Sequence, residues 1–200
     1  MEQEFKWRCP DEAHFFTLLS DPKLPPHGDI QRIAMCAVYY DTADHLVSRH
    51  RGGLRLRTEN DRTVCCLKLP AQSPAGQALK NREEYECSAS DIHTGLRLLP
   101  ERTGAPEGLC RQIAQGDLQE IGRTEFTRQI VLLTHEHCEA ELSFDTGRIV
   151  HGGQQLPISE IELEYKFGDV NAFLDLGHWM EMTFSLTAEP LSKLARMLSL

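Results

Sequence analysis

No run of this sequence approaches the ~20 consecutive apolar residues that a membrane-spanning helix needs. Seven cysteines are present, but no Cys-x-x-Cys spacing, and Cys65 and Cys66 are neighbours, which argues against a zinc ribbon. The count is odd and the N-terminus is not signal-like, so the thiols are read as reduced, in a cytoplasmic protein. A Gly-rich phosphate loop of the Walker type is missing. Basic residues are in deficit, 21 Lys and Arg against 30 Asp and Glu, a formal charge of −9. A generic nucleic-acid binder carries the opposite balance, although net charge leaves a local basic pocket open. Aromatic residues make up only 7%, and Phe15-Phe16 and Trp179-Met180 are read as core contacts rather than a base-stacking platform. No tandem repeat and no low-complexity tract occurs.

What is present is alternation. In 200 residues, 40% of them hydrophobic, period-2 patterning or β-branched and aromatic content marks strands at Glu2–Arg8, Ala34–Tyr40, Leu54–Glu59, Thr63–Leu69, Arg82–Cys87, Arg123–Thr134, Cys138–Asp145, Gly147–His151 and Ile158–Phe167. Turn chemistry separates them at Glu59-Asn60-Asp61, Asp145-Thr146-Gly147 and His151-Gly152-Gly153. Helical patterns are fewer: Pro10 to Leu19, Pro106–Gln115, Asp169–Met182 and Pro190–Leu200. Pro70–Lys80 reads as a loop. Many strands with interspersed helices and short connections predict one antiparallel α+β domain over residues 1–200.

The polar faces of the strands are densely charged, with both signs. Glu2, Glu4 and Lys6 share a face, as do Arg55 and Arg57, Arg82, Glu84 and Glu86, Glu139, Glu141 and Asp145, and Glu160, Glu162, Glu164 and Lys166. One such strand is an ordinary solvated sheet face. Five in one chain imply a closed or strongly curled sheet with charge inside, because like charges facing each other across an open sheet destabilise it. Clustered carboxylates favour a hard divalent cation, Mg²⁺ or Mn²⁺. Clustered Arg and Lys favour phosphate oxygens. A metal bridging to a polyphosphate satisfies both groups. His135-Glu136-His137 falls where a hairpin turn is expected and is read as surface.

These segments resemble the CYTH superfamily of triphosphate tunnel metalloenzymes. Glu2-x-Glu4-x-Lys6 is similar to its E-x-E-x-K signature. YYDTADHL (39–46), GLRLR (53–57), CLKLP (66–70), REEYE (82–86), RTEFTR (123–128), ELSFDTGRI (141–149), ISEIELEYKFGD (158–169) and LSKLAR (191–196) follow in order. The likeness is greatest to bacterial inorganic triphosphatases, here without the C-terminal helical domain that many of them carry. It implies an eight-stranded antiparallel β-barrel, the triphosphate tunnel, with helices packed outside. It also implies metal-dependent hydrolysis of a small-molecule triphosphate, with no nucleic-acid or membrane partner. Residue by residue, it assigns Glu2, Glu4, Glu84, Asp145, Glu162 and Glu164 to the metal, with Glu141 a contributor. Lys6, Arg55, Arg57, Lys68, Arg82, Arg128, Lys193 and Arg196 fall to the triphosphate, and Glu4, Lys6 and Arg57 to the chemistry. In the run 160–164 the pair Glu162 and Glu164 is preferred. Arg123 lies on the face opposite Arg128 by period 2. Class IV adenylate cyclase, thiamine or nucleoside triphosphatase and a non-catalytic polyphosphate-binding module are the alternatives.

Overall fold

The computed structural model describes residues 2–70 and 80–200, the side chains of Glu2, Lys80 and Asn81 excepted. The loop expected over Pro70–Lys80 therefore lies almost wholly outside the described residues. In chain order the elements are β1 (Glu2–Arg8), α1 (Glu12–Leu19), β2 (Gln31–Thr42), α2 (Leu46–Arg49), β3 (Gly53–Glu59), β4 (Arg62–Pro70) and β5 (Lys80–Ser88). They continue with α3 (Ile92–Thr103), α4 (Glu107–Gln115), β6 (Leu118–His135), β7 (Cys138–His151), β8 (Gln154–Gly168), α5 (Val170–Thr183), β9 (Thr187–Ala188) and α6 (Lys193–Met197). No helix among them is long and apolar enough to cross a membrane.

Every strand pairing among the described residues is antiparallel. The order is β5-β4-β3-β2-β6-β7-β8-β1-β9, and β1 also meets β5. That last contact is short, with Glu2 opposite Arg82, Gln3 opposite Asn81 and Glu4 opposite Lys80. The eight long strands thus form a barrel-like circuit with one brief seam. β9 is a two-residue addition to the outer part of β1.

Alternation sorts each strand into an inner and an outer face. Outward-facing Phe5, Trp7, Leu142, Phe144, Ile161 and Leu163 are buried with Phe15 of α1 and with Phe173, Leu176 and Met180 of α5. On the other side Leu54, Cys65, Leu67 and Cys87 are buried with Ile92, Leu96 and Leu99 of α3 and Ile113 of α4. The third apolar cluster is inside the barrel: Ala37, Tyr39, Ile149 and Ile158 surround Met197 of α6. α6 therefore closes one end of the lumen and is not packed on the outside as the other helices are.

Three local features depart from the sequence pattern. Asp145-Thr146-Gly147 is not a turn, because β7 runs unbroken through it with Gly147 opposite Phe126 on β6 and Ile158 on β8. The glycine is there for a close approach: a Cβ on Gly147 would lie 2.1 Å from the Glu125 carbonyl oxygen. α3 had no expected counterpart, since Gly95 and Pro100 depress helical propensity. It forms because Asp91 caps it by accepting a bond from the Thr94 N–H at 2.8 Å, and because Leu96 and Leu99 are buried. The helix expected over Pro190–Leu200 shortens to five residues, capped by Ser192, whose Oγ accepts from Ala195 N–H.

α5 holds the outer face of β1. Phe5 stacks on Trp7 at 5.5 Å, and the backbone of Gly177 rides so close that an added Cβ would lie 2.3 Å from the Phe5 ring. On an exposed helix Gly→Ala stabilises by about 0.8–1 kcal/mol. Here we expect Gly177→Ala to destabilise by about 1–3 kcal/mol through overpacking. Urea unfolding measures the sign directly, and a stabilised variant would refute this packing.

Candidate active site

The lumen holds a cavity of about 400 Å³. Its walls come from inward-facing residues of every long strand and from the start of α6. Of the residues singled out from sequence, all line it except three. Asp145 and Arg196 lie behind the lining, and the side chain of Glu2 is outside the described residues.

One wall carries a buried charge network. Asp145 and Glu160 are fully buried, and Glu162, Lys6 and Lys193 nearly so. Arg128 grips Asp145 with two bonds, Nε to Oδ1 at 2.7 Å and Nη2 to Oδ2 at 2.6 Å, and also donates to Glu162. The Lys193 ammonium donates to Asp145 at 2.7 Å and to Glu162 at 3.1 Å and contacts Glu160. Lys6 lies 3.2 Å from Glu162 and 3.8 Å from Glu160. Arg196 donates to the second oxygen of Glu160. Three carboxylates are thus met by four cations from β1, β6 and α6. Phe126 floors the group, with the Lys193 ammonium 5.0 Å and the Arg128 guanidinium 5.8 Å from its ring centre.

The network favours the charged forms of Glu162 and Lys193. Burial alone would raise the Glu162 carboxyl, but Lys193, Lys6 and Arg128 outweigh it and hold Glu162 well below the usual range. Burial alone would lower Lys193, yet Asp145, Glu162 and Glu160 hold it above its ordinary value. Glu162 and Lys193 therefore stay charged across neutral pH.

The facing wall is built by β3, β4 and β5. Arg55 and Arg57 point inward as their alternation with Leu54 and Leu56 predicts. Arg57 lies 2.5 Å from Glu59 and 3.1 Å from Glu86, and Lys68 lies 3.1 Å from Glu84. Glu84, expected on the metal side, therefore sits among cations, 3.6 Å from Arg55 as well. It also accepts the Cys66 thiol at 3.2 Å. Burial pushes that thiol far above its ordinary value, so it is a hydrogen-bond donor and no nucleophile.

Carboxylates also form a row across three adjacent strands. Glu4 on β1 is directly opposite Glu164 on β8, which is directly opposite Glu141 on β7. All three line the cavity. Lys6 approaches Glu4 at 4.0 Å, and Lys166 lies 3.0 Å from Glu164 and 3.3 Å from Glu141.

The sequence reading preferred Glu162 and Glu164 over Glu160, which shares their inner face and is the most enclosed of the three. Glu86 and Lys166, placed on charged faces by period 2 but given no role, line the cavity, as do Glu59 and Arg62, which the sequence reading left without a role. An apolar strip from β2 and β6, Ile33, Met35 and Ile130, completes the lining.

The family profile described as the CYTH domain matches residues 1–197. An inorganic triphosphatase of Haemophilus influenzae is 31% identical over 150 residues, covering 72% of this chain and 40% of the relative. The chain thus spans about two fifths of that relative's length. A solved structure of a Hippeastrum protein, named an adenylyl cyclase and described with a dominant triphosphatase activity, superposes with a TM-score of 0.63. It is 18% identical, over 100% of this chain and 96% of that one. A Vibrio parahaemolyticus protein named an adenylate cyclase superposes at 0.59 with 15% identity, over 100% and 98%. At these identities the likeness is one of fold.

Because Glu162 is depressed in the folded state, its contribution to stability is full above its unfolded value of about 4.3. It is lost as pH falls through the lower folded value. We expect the thermal midpoint to drop steadily on acidification below about pH 5. Glu162→Gln should start lower at pH 7 and show a shallower acid slope. A variant curve parallel to wild type in thermal scans from pH 7 to 3 would remove Glu162 from the network.

Proposed function

This chain belongs to the CYTH domain family, and from that membership we propose that it hydrolyses inorganic triphosphate to pyrophosphate and phosphate with a divalent metal, Mg²⁺ or Mn²⁺. The observation that carries the reading is the lumen itself. Cations converge on one enclosed space from two facing walls, with a row of carboxylates beside them. A single basic wall suffices for a monoanion. Two facing ones suit an extended polyanion whose charge runs along its length.

The roles follow from position. Arg55, Arg57, Lys68 and Arg82 would hold the phosphate chain from one side, and Lys6, Arg128 and Lys193 from the other. Six of these cations are already aimed by a carboxylate: Arg55 and Lys68 by Glu84, Arg57 by Glu59 and Glu86, Lys6 by Glu162, and Arg128 and Lys193 by Asp145 and Glu162. Substrate oxygens would meet preset donors, with little reorganisation. Asp145, Glu160 and Arg196 lie one layer back and position the cations that face the lumen.

The carboxylates divide by what already neutralises them. The ligand atoms of Asp145, Glu160 and Glu162 lie close enough to converge on an ion, but these carboxylates are already met by Lys193, Arg128, Lys6 and Arg196. The row Glu4, Glu164 and Glu141 places like charges directly opposite one another, an arrangement a hard cation relieves. We assign the metal to that row, with Glu162 at its inner edge. When bound, the ion neutralises phosphate charge and orients the reacting oxygens for in-line attack by water. The protein's own part is to hold the triphosphate extended and to exclude bulk water behind the α6 plug.

The apolar strip Ile33, Met35 and Ile130 is the feature that favours an organic triphosphate, as in a cyclase or a thiamine triphosphatase. One experiment separates the readings. Incubated with Mg²⁺ or Mn²⁺ and each of triphosphate, ATP and thiamine triphosphate, the protein should release phosphate fastest from inorganic triphosphate. Cyclic AMP with pyrophosphate would overturn the assignment, and binding without product would make it a polyphosphate-binding module. Glu4→Gln should lower kcat by about 100-fold or more while leaving triphosphate binding within a few fold. Wild-type turnover in that variant would take Glu4 out of the chemistry.

A further inference from the structure

Lys166 breaks the simple ladder of β8. Ala140 pairs with Tyr165 and Glu139 with Phe167, so Lys166 is an extra residue with no counterpart on β7. A bulge of this kind bends a strand locally. The Lys166 side chain keeps the inner face that alternation with Glu164 gives it, and its ammonium lines the cavity, 3.0 Å from Glu164 Oε1 and 3.3 Å from Glu141 Oε2. It ties together carboxylates from two adjacent strands that face each other in register. That is the place and the charge-neutralising task assigned above to a divalent ion.

We propose that Lys166 is a tethered counter-ion of the acidic row, competing with the divalent metal for Glu141 and Glu164 and keeping metal affinity low until triphosphate is present. The inference rests on the assignment of that row to the metal. A lysine can give way where an arginine fork would not, since it is a point charge on a flexible stem. Lys166 keeps 34% of its side chain exposed, so its ammonium has a path to water when another cation takes its place. The deep lysine offers a contrast: Lys193 is only 8% exposed and contacts three carboxylates. Triphosphate arriving with its own metal compensates twice, because the ion displaces the ammonium and the phosphate charge gives it a new partner. Metal and substrate then bind with positive coupling.

The test is Mn²⁺ binding to the full chain without triphosphate, read from the resonance signal of the free ion. Lys166→Met should bind Mn²⁺ roughly tenfold tighter than wild type, Lys166→Ala should behave alike, and Lys166→Arg should stay near wild type because the charge is kept. Thermal midpoints establish that the variants are folded. Equal or weaker binding by both neutral variants would overturn the proposal. Glu164→Gln, alone and combined with Lys166→Met, tells the two failures apart. Binding that depends on Glu164 but ignores Lys166 sinks the lysine's role alone. Binding that ignores Glu164 as well, or its absence from every form, sinks the metal assignment with it.

Discussion

Charge buried inside the barrel is the constraint on which the remainder depends. Asp145 and Glu160 are withdrawn from water completely, and Lys6, Lys193 and Glu162 almost so. An ion buried alone costs several kcal/mol, and removing one partner from such a set costs about as much. The network is therefore tolerable only whole. Its members come from β1, β6, β7, β8 and α6, so assembling it requires the first strand and the last helix to be in place together. The fold's closure at the α6 end and the readiness of the site are one condition.

That condition has a chemical consequence. Lys6, Arg55, Arg57, Lys68, Arg128 and Lys193 are each held by a carboxylate behind or beside them, so these donors are aimed before any anion arrives. The same carboxylates would compete with any bound anion for those donors. A lumen of cations alone would bind an anion more tightly, but it would not stay folded through mutual repulsion. The mixed lining offsets that repulsion and keeps the barrel stable when the lumen is empty of anions. Phe126 contributes in the same sense, offering the faces of Lys193 and Arg128 a neutral floor that does not compete for their hydrogen bonds.

Much of this was legible from alternation. Arg55 and Arg57 had to share a face, with Leu54 and Leu56 on the other, and Phe5 and Trp7 had to oppose Glu4 and Lys6. Turns at Asn60 and at Gly152-Gly153 were visible in their residues, which take positive φ. The Asp145-Thr146-Gly147 turn was misread because Asp, Thr and Gly also occur where a strand needs a buried carboxylate and a close backbone approach. α3 was missed because its Gly and Pro argue against a helix, and only the Asp91 cap and the packing on Cys65 overrule them. An added Cβ on Gly95 would lie 2.3 Å from that of Cys65.

The sequence by itself determined which side chains face inward, because the period of a strand is two whatever it pairs with. It determined that the inside would be charged with both signs, and so the class of ligand it could hold. It did not decide depth. Glu160, Glu162 and Glu164 are equivalent by pattern, yet the register with β1 and the position of α6 set Glu160 in the buried network and Glu164 in the acidic row. Nor did pattern show that Asp145 is gripped by Arg128 and Lys193, since these partners are 17 and 48 residues away. Which carboxylate meets a lysine and which meets another carboxylate is a property of strand register and helix placement, and only the assembled barrel supplies both.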